Sequence, residues 1–351
     1  MKYYIGCDAH KKYSVFTVIS EYGEISNAKR VGHERKEYRD FLNTLPPASE
    51  IAIETTGNWY WMIDEIEKTG HIPLLAHAGK AKLMMGQINK TDKLDAKGLA
   101  IMLKNGTLPA VWIPSGELRD QRELPRMRLA MSQVRTKFKN RIHAIFAKYG
   151  ITFDEVSDIF GGKGRKLLEK SLVELPPETR LSVQEQLWLL DQVEQSIKQV
   201  EKRIRQVIKV DHTMQLLMTL PGVGPILAIT IALEMGKVDR FSSGEKFASY
   251  VGKVPRVSSS GGKTHYGKVR PDVNRYLKWA YTEAANAIVL QQHTLGDCHV
   301  LRLYHRIRKN KGHAKAVTAV GRHLAEATYW MIKNDKPYRE PKKQLGLSDK
   351  G

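Results

Sequence analysis

The sequence predicts an α/β domain followed by a longer, mostly helical region. Residues 2–110 alternate short apolar runs of strand period with amphipathic stretches of helical period. From residue 117 the chain turns charged and helical in pattern, with few strand signals. A third observation is the break "LPGVGP" at 220–225, set between two apolar stretches of helical spacing.

Each element follows from its residues. "YYIGCD" from Tyr3 is a strand, "HKK" a polar turn and "YSVFTVIS" a second strand; "EYGE" turns the chain again into "ISNAKRVG", a third. A polar helix runs from Glu34 to Asn43, then a buried strand "EIAIET", then a helix after Gly57 in "NWYWMIDEIEK". The strand "HIPLLAH" follows, and a helix from about Thr91 to Lys104 closes the series. A three-stranded meander, then helix–strand–helix–strand–helix, is the order of an RNase H-like fold: a mixed five-stranded sheet with helices on both faces. This domain is assigned to residues 1–115.

Residues 116–212 are expected to be helical. Within them Leu187, Leu190, Val193, Ile197, Val200, Ile204 and Val207 recur at three- and four-residue steps, a coiled-coil spacing that suits helix pairing within the chain or between protomers. The Gly-, Lys- and Pro-rich stretch from about 150 to 177 is expected to be a flexible linker. A mainly helical unit is assigned to 213–335 and a flexible tail to 336–351.

Charge narrows the function. The 351 residues carry 57 Lys and Arg against 37 Asp and Glu, a net +20. From Lys253 onward there are 20 basic and 7 acidic residues, so +13 falls in the last 99 positions. That asymmetry points to a polyanionic partner. No apolar run approaches the roughly 20 residues that span a bilayer, and "MKYYIGCDAH" has no signal-peptide core. Nucleic acid is therefore the expected partner, in the cytoplasm. Two cysteines, Cys7 and Cys298, make no disulfide framework. No Cys-x-x-Cys or His-x-x-x-His pairing suggests zinc, and "FGGKGRK" lacks P-loop spacing.

Four carboxylates stand at element ends. Asp8 ends the first strand, Glu54 ends "IAIE", and Asp92 and Asp95 sit three apart at the start of a helix, on one face. Asp92 and Asp95 also suit a helix cap and dipole. In an RNase H-like sheet, however, all four converge, and cations must neutralise them. Two Mg²⁺ ions about 4 Å apart suit phosphoryl transfer at such a site.

The basic half carries two further features. "LPGVGP" resembles a helix–hairpin–helix turn, whose glycines Gly222 and Gly224 let backbone N–H groups approach a phosphate; a tight packing turn fits the same residues. "VPRVSSSGG" is surrounded by Arg256, Lys263, His265, Lys268, Arg270 and Arg275, donors suited to phosphate. One of its serines is a candidate nucleophile, and a mobile linker is the alternative. Tyr266, Tyr276, Trp279, Tyr304 and Trp330 lie near basic residues as candidate base-stacking groups.

Taken together, "IGCDAHKK", "IAIETTG", "NKTDKLDAKGLA", "LPGVGPILA", "DRFSSGEKFASYVGKVPRVSSSGGKTHYGKV" and "NRYLKWAYTEAA" resemble, in order, the motif series of the DEDD insertion-sequence transposases, the bridge-RNA-guided recombinases of bacteria. The likeness runs from about residue 3 to 335. It implies a RuvC-like first domain with Asp8, Glu54, Asp92 and Asp95 as a Mg²⁺-binding tetrad, one or two ions per site, with Mn²⁺ able to substitute. It also implies a helical transposase domain whose serine links covalently to a DNA 5′-phosphate. The family's Pro-x₄-Ser-Gly spacing counted from Pro255 selects Ser260, with Ser258 and Ser259 as neighbouring alternatives. Further implied are a structured guide RNA pairing with donor and target DNA, dimers that assemble into a tetramer, and sites combining the tetrad and serine of different protomers. Two other functions fit the residues: a hydrolytic nuclease or Holliday-junction resolvase using the acids and water, and a non-catalytic nucleic-acid-binding scaffold.

Overall fold

The computed structural model describes residues 1–55, 57–86, 91–269 and 272–341, and of Tyr266 and Lys268 the backbone only. The chain divides into two compact units, Met1–Gly116 and Glu117–Gly351.

The first unit is a six-stranded mixed sheet rather than a five-stranded one. Strands β1 (Tyr3–Ala9), β2 (Tyr13–Ser20) and β3 (Lys29–Gly32) form the antiparallel meander. Helix α1 (Arg35–Asn43) leads to β4 (Glu50–Glu54), which lies parallel to β1, and α2 (Trp59–Lys68) leads to β5 (Ile72–Ala76), parallel to β4. Helices α3 (Ala78–Met85) and α4 (Asp92–Lys104) precede β6 (Ala110–Val111), the extra antiparallel edge strand. The order across the sheet is β3-β2-β1-β4-β5-β6.

Strand parity sorts the side chains. Ile5 and Cys7 of β1 and Ile51 and Ile53 of β4 pack with Tyr38 and Leu42 of α1 and Met62, Ile63 and Ile66 of α2. The alternate residues face α4: Ala52 and Ala76 pack against Leu99, Met102 and Leu103. Gly6 permits the close approach of this helix. A Cβ there would collide with the carbonyl oxygen of Ala96 and stand 2.7 Å from the amide nitrogen of Ala100. Burial pushes the Cys7 thiol up to about 12, so it remains a core thiol.

The second unit contains α5 (Gly116–Lys148), α6 (Gly162–Ser171), α7 (Pro177–Val207), α8 (His212–Leu217), α9 (Pro225–Met235) and α10 (Gly244–Val251). A hairpin of β7 (Pro255–Ser260) and β8 (Lys263–Val269) follows, then α11 (Arg275–Leu290), α12 (Gln292–Leu295), α13 (His299–Lys311) and α14 (His313–Lys333). The main core joins α9, α10, α11, α13 and α14, with Tyr281 and Phe247 fully buried inside it.

Of three expectations, two are corrected here and one resolves between its alternatives. The stretch 150–177 is no flexible linker: α6 and its flanks bury Ile159, Leu168, Leu172 and Leu175 against Ile142 and Phe146 of α5 and Leu187 and Leu190 of α7. The apolar stripe of α7 takes the within-chain alternative over most of its length: Leu187 and Leu190 pack on α5, and Val200 and Ile204 lie beside Ile229 and Leu233 of α9, while Val207 is exposed. The tail is held at its start, where the Tyr338 amide donates to Thr219 Oγ1 at 2.8 Å and Glu340 Oε2 accepts from the His299 amide at 2.8 Å. The rest of the tail, 342–351, lies outside the described residues.

Candidate functional site: an acid–imidazole cluster and a serine hairpin

The register that pairs Cys7 with Ile53 carries Asp8 and Glu54 to the same ends of neighbouring parallel strands. Parity places both on the α4 side, since Cys7 and Ile53 face the other way. Helix α4 starts just there. Thr91 caps it, its hydroxyl accepting from the Leu94 amide at 3.3 Å, and the first turn carries Asp92 and Asp95. The helix that Gly6 admits is thus the helix that delivers these two acids.

The acids are joined by a group the sequence reading treated only as part of a polar turn. His10 Nε2 lies 3.0 Å from Asp8 Oδ2 and 3.2 Å from Asp92 Oδ2. One donor atom from each of Asp8, His10 and Asp92 falls within 4.8 Å of the others, the one such grouping of three among the described residues. Tyr13 donates to Asp92 Oδ2 at 3.0 Å. Its ring stacks on His10 at 4.7 Å and lies under the Arg30 guanidinium at 3.7 Å. Asp8 is 8% exposed, and its carboxyl is pushed above the ordinary range by that burial; His10 opposes the shift, and the charges of Asp95 and Asp92 reinforce it. Asp95 therefore belongs to the same electrostatic neighbourhood. Glu54 and Asp95 stand outside the 4.8 Å grouping, which holds Asp8, His10 and Asp92. A cleft of about 570 Å³ lined by Tyr13, Val15, Ala28, Arg30, Thr91, Asp92 and Lys93 opens beside the cluster, with two cations on its wall. A signal for His10 existed: it lies two residues past a strand-terminal aspartate, so both reach the same sheet end.

In the second unit, the serine stretch is a β-hairpin and not an irregular loop. Ser258 pairs with His265 and Ser260 with Lys263, so these four share one face. Gly261 and Gly262 make the turn at φ 55° and 76°, and a Cβ at either would meet nothing within 4 Å. Ser259 Oγ lies 3.5 Å from Thr264 Oγ1 on the opposite face. From Arg256 through His265 the hairpin is exposed. Arg275 is exposed at the start of α11, its guanidinium donating to Tyr276 OH at 3.1 Å. Arg270 and the Lys268 side chain lie outside what the structure describes.

The hairpin's exit is anchored. Asn274 Oδ1 accepts from the Tyr276 and Leu277 amides at 3.0 Å each, capping α11. Its Nδ2 donates to the buried Glu234 at 2.9 Å, and Arg126 donates to that same carboxylate at 2.7 and 3.1 Å. At the hairpin's entry Lys253, 3% exposed, donates to Thr282 Oγ1 at 2.6 Å. Burial lowers its ammonium to about 8, and Lys278 adds to the effect.

The two glycines of "LPGVGP" divide their roles. Gly222, at φ 74°, backs onto α11, where a Cβ would collide with the Ala284 carbonyl oxygen, so it is a packing glycine. Gly224 precedes α9 in extended backbone with open space around it. Of the aromatic candidates, Tyr304 is core at 1% exposure, whereas Trp330 is exposed.

Comparison with known proteins matches both halves. Residues 5–151 match the family model DEDD_Tnp_IS110, described as a transposase, and residues 214–297 match Transposase_20, the transposase IS116/IS110/IS902 family. The chain is 26% identical over 265 residues to a probable family 20 transposase of Pseudomonas aeruginosa, covering 73% of this chain and 75% of that one. It is 27% identical over 247 residues to the transposase for insertion sequence element IS1328 of Yersinia enterocolitica, covering 66% and 67%. It is 22% identical over 338 residues to the transposase for insertion sequence element IS1111A of Coxiella burnetii, covering 95% and 91%. A DEDD transposase domain implies a divalent metal, and the donor set fits one: a buried aspartate, a second aspartate and an imidazole in one cluster. No helix among the described residues is long and apolar enough to cross a membrane.

Proposed function

The chain belongs to the IS110/IS116 family of DEDD insertion-sequence transposases, and from that premise we propose that it exchanges DNA strands through a covalent phosphoserine on Ser260. The observation that carries the proposal is the hairpin. It presents Ser260 beside an unobstructed Gly-Gly turn, on one face with Lys263 and His265, with Arg256 in the same strand. Ser259 lies on the other face toward Thr264, which favours Ser260.

In the proposed reaction Ser260 Oγ attacks a backbone phosphorus. The P–O3′ bond breaks, the 5′-phosphate stays on the serine, and the hydroxyl proton passes to the departing 3′ oxygen. A 3′-OH of the exchanged strand then displaces the serine by the reverse exchange of bonds, so one phosphodiester replaces another and no nucleotide is consumed. Lys263 and Arg256 bind the phosphate and offset charge that builds on its oxygens. Asp8, Glu54, Asp92 and Asp95 would hold a divalent cation, proposed to be Mg²⁺ or Mn²⁺, whose contribution when bound is to neutralise negative charge at the reacting phosphate.

The proposed partners are donor and target DNA and a structured guide RNA that selects both by pairing, leaving the protein to bind backbone through its +13 carboxyl-terminal third. Dimers joining into a tetramer, with acids and serine of different protomers acting on one phosphate, complete the reading. Since the apolar stripe of α7 is used within the chain, self-association would use its outer face, where Leu181 and Trp188 are exposed. The site of action is the cytoplasm, on the nucleoid.

The test is end-labelled donor DNA incubated with protein, guide RNA and Mg²⁺, then run on a denaturing gel. A protein–DNA adduct lost in Ser260→Ala supports the proposal. Cleavage with no adduct in the wild type assigns the chain a hydrolytic reaction using the acids alone, and sinks it.

A further inference from the structure

An imidazole stands where an all-carboxylate site would not need one. We infer that His10 is a nitrogen ligand of the active-site cation, so that the site binds Mn²⁺ in preference to Mg²⁺; this rests on the reading that the acid cluster holds a divalent metal.

Three observations carry it. First, a single atom, His10 Nε2, lies 3.0 Å from a carboxylate oxygen of β1 and 3.2 Å from one of α4. Three donors within 4.8 Å of one another suit the shell of one ion, whose ligands sit about 2–2.2 Å from it. Second, the ring is fixed before any ion arrives. Its amide donates to the Tyr13 carbonyl at 2.9 Å, its carbonyl accepts from Asn58 Nδ2 at 3.0 Å, and its face stacks on Tyr13. Tyr13 is clamped in turn by Arg30 above its ring and by the bond from its hydroxyl to Asp92. One residue thus orients both a nitrogen and an oxygen donor, the role outer groups play around metal ligands. Third, the donor chemistry is selective. Mg²⁺ favours oxygen ligands and retains its waters, whereas imidazole strengthens binding of first-row transition ions such as Mn²⁺.

The experiment is pulsed electron paramagnetic resonance on the full chain loaded with Mn²⁺, beside titration calorimetry with each metal. Wild type is expected to show ¹⁴N modulation from a directly bound nitrogen, and protein labelled with ¹⁵N-histidine to lose it; neither measurement depends on a variant folding. His10→Ala is expected to weaken Mn²⁺ binding about tenfold or more and Mg²⁺ binding less than threefold, by analogy with other losses around metal sites. Bound Mn²⁺ without nitrogen modulation in the wild type overturns the inference and leaves the metal reading standing. No bound Mn²⁺ or Mg²⁺ overturns both. Equal losses for both metals in a folded His10→Ala chain overturn the selectivity.

Discussion

Gly6 and Ala96 touch backbone to backbone: the face of β1 that bears Gly6 is occupied by the carbonyl of Ala96 in α4, with no room for a methyl group between them. This contact sets how far α4 lies from the sheet, and therefore where Asp92 and Asp95 stand relative to Asp8.

The first prediction follows. Gly6→Ala must push α4 off the sheet, because the obstructing atoms are backbone and cannot swing aside. Destabilisation of about 3 kcal/mol is expected from overpacking of this kind, measurable by urea unfolding, together with weaker Mn²⁺ binding. Wild-type stability in that variant would refute the contact.

Serine chemistry should be position-specific. Ser260→Ala is expected to abolish the DNA adduct, and Ser259→Ala, on the opposite face, to retain it within a few-fold. Binding of labelled nucleic acid should survive both changes. Reversal of the two results would move the nucleophile.

Lys253 makes a prediction in pH. Its folded value, about 8, lies below the ordinary 10.5, so the folded chain holds a poorly solvated ammonium at neutral pH. Between these values the unfolded chain binds the proton more tightly, so folding stability gains as pH rises through the window. Lys253→Met should be more stable than wild type at pH 7 by on the order of 2 kcal/mol, the desolvation relieved less the lost Thr282 bond, and that advantage should shrink toward pH 10.5. Paired denaturant curves at pH 7 and 10 check the sign.

Glu234 anchors the far end of the hairpin. Glu234→Ala removes the acceptor shared by Arg126 and Asn274 inside a buried site, and a loss of about 3–5 kcal/mol is expected for such a broken pair. Asn274→Ala should cost about 1 kcal/mol through the lost helix cap. Thermal melts resolve the two.

How much of this was legible beforehand depends on the physics of each part. The ends of β1 and β4 were readable because each is a short apolar run, buried on both faces, that an acid closes. The start of α4 was readable because Thr91 and two aspartates are a cap with a matched dipole. β6 was not, since two residues cannot display a period. The hairpin was hidden because both its faces meet solvent, so nothing alternates in "PRVSSS". The stretch around α6 reads as linker because its core residues, Ile159, Leu168, Leu172 and Leu175 among them, are spaced irregularly between glycines and lysines. His10 was passed over because its meaning lies across the chain, in Asp92, 82 positions later.

The serine strand makes almost no contribution to the fold that carries it: five of its six residues are bathed in solvent. A substitution that silences this strand is therefore expected to leave the folded polypeptide intact. On the proposed reading, decayed copies of such an element would still be produced as folded competitors of the working one.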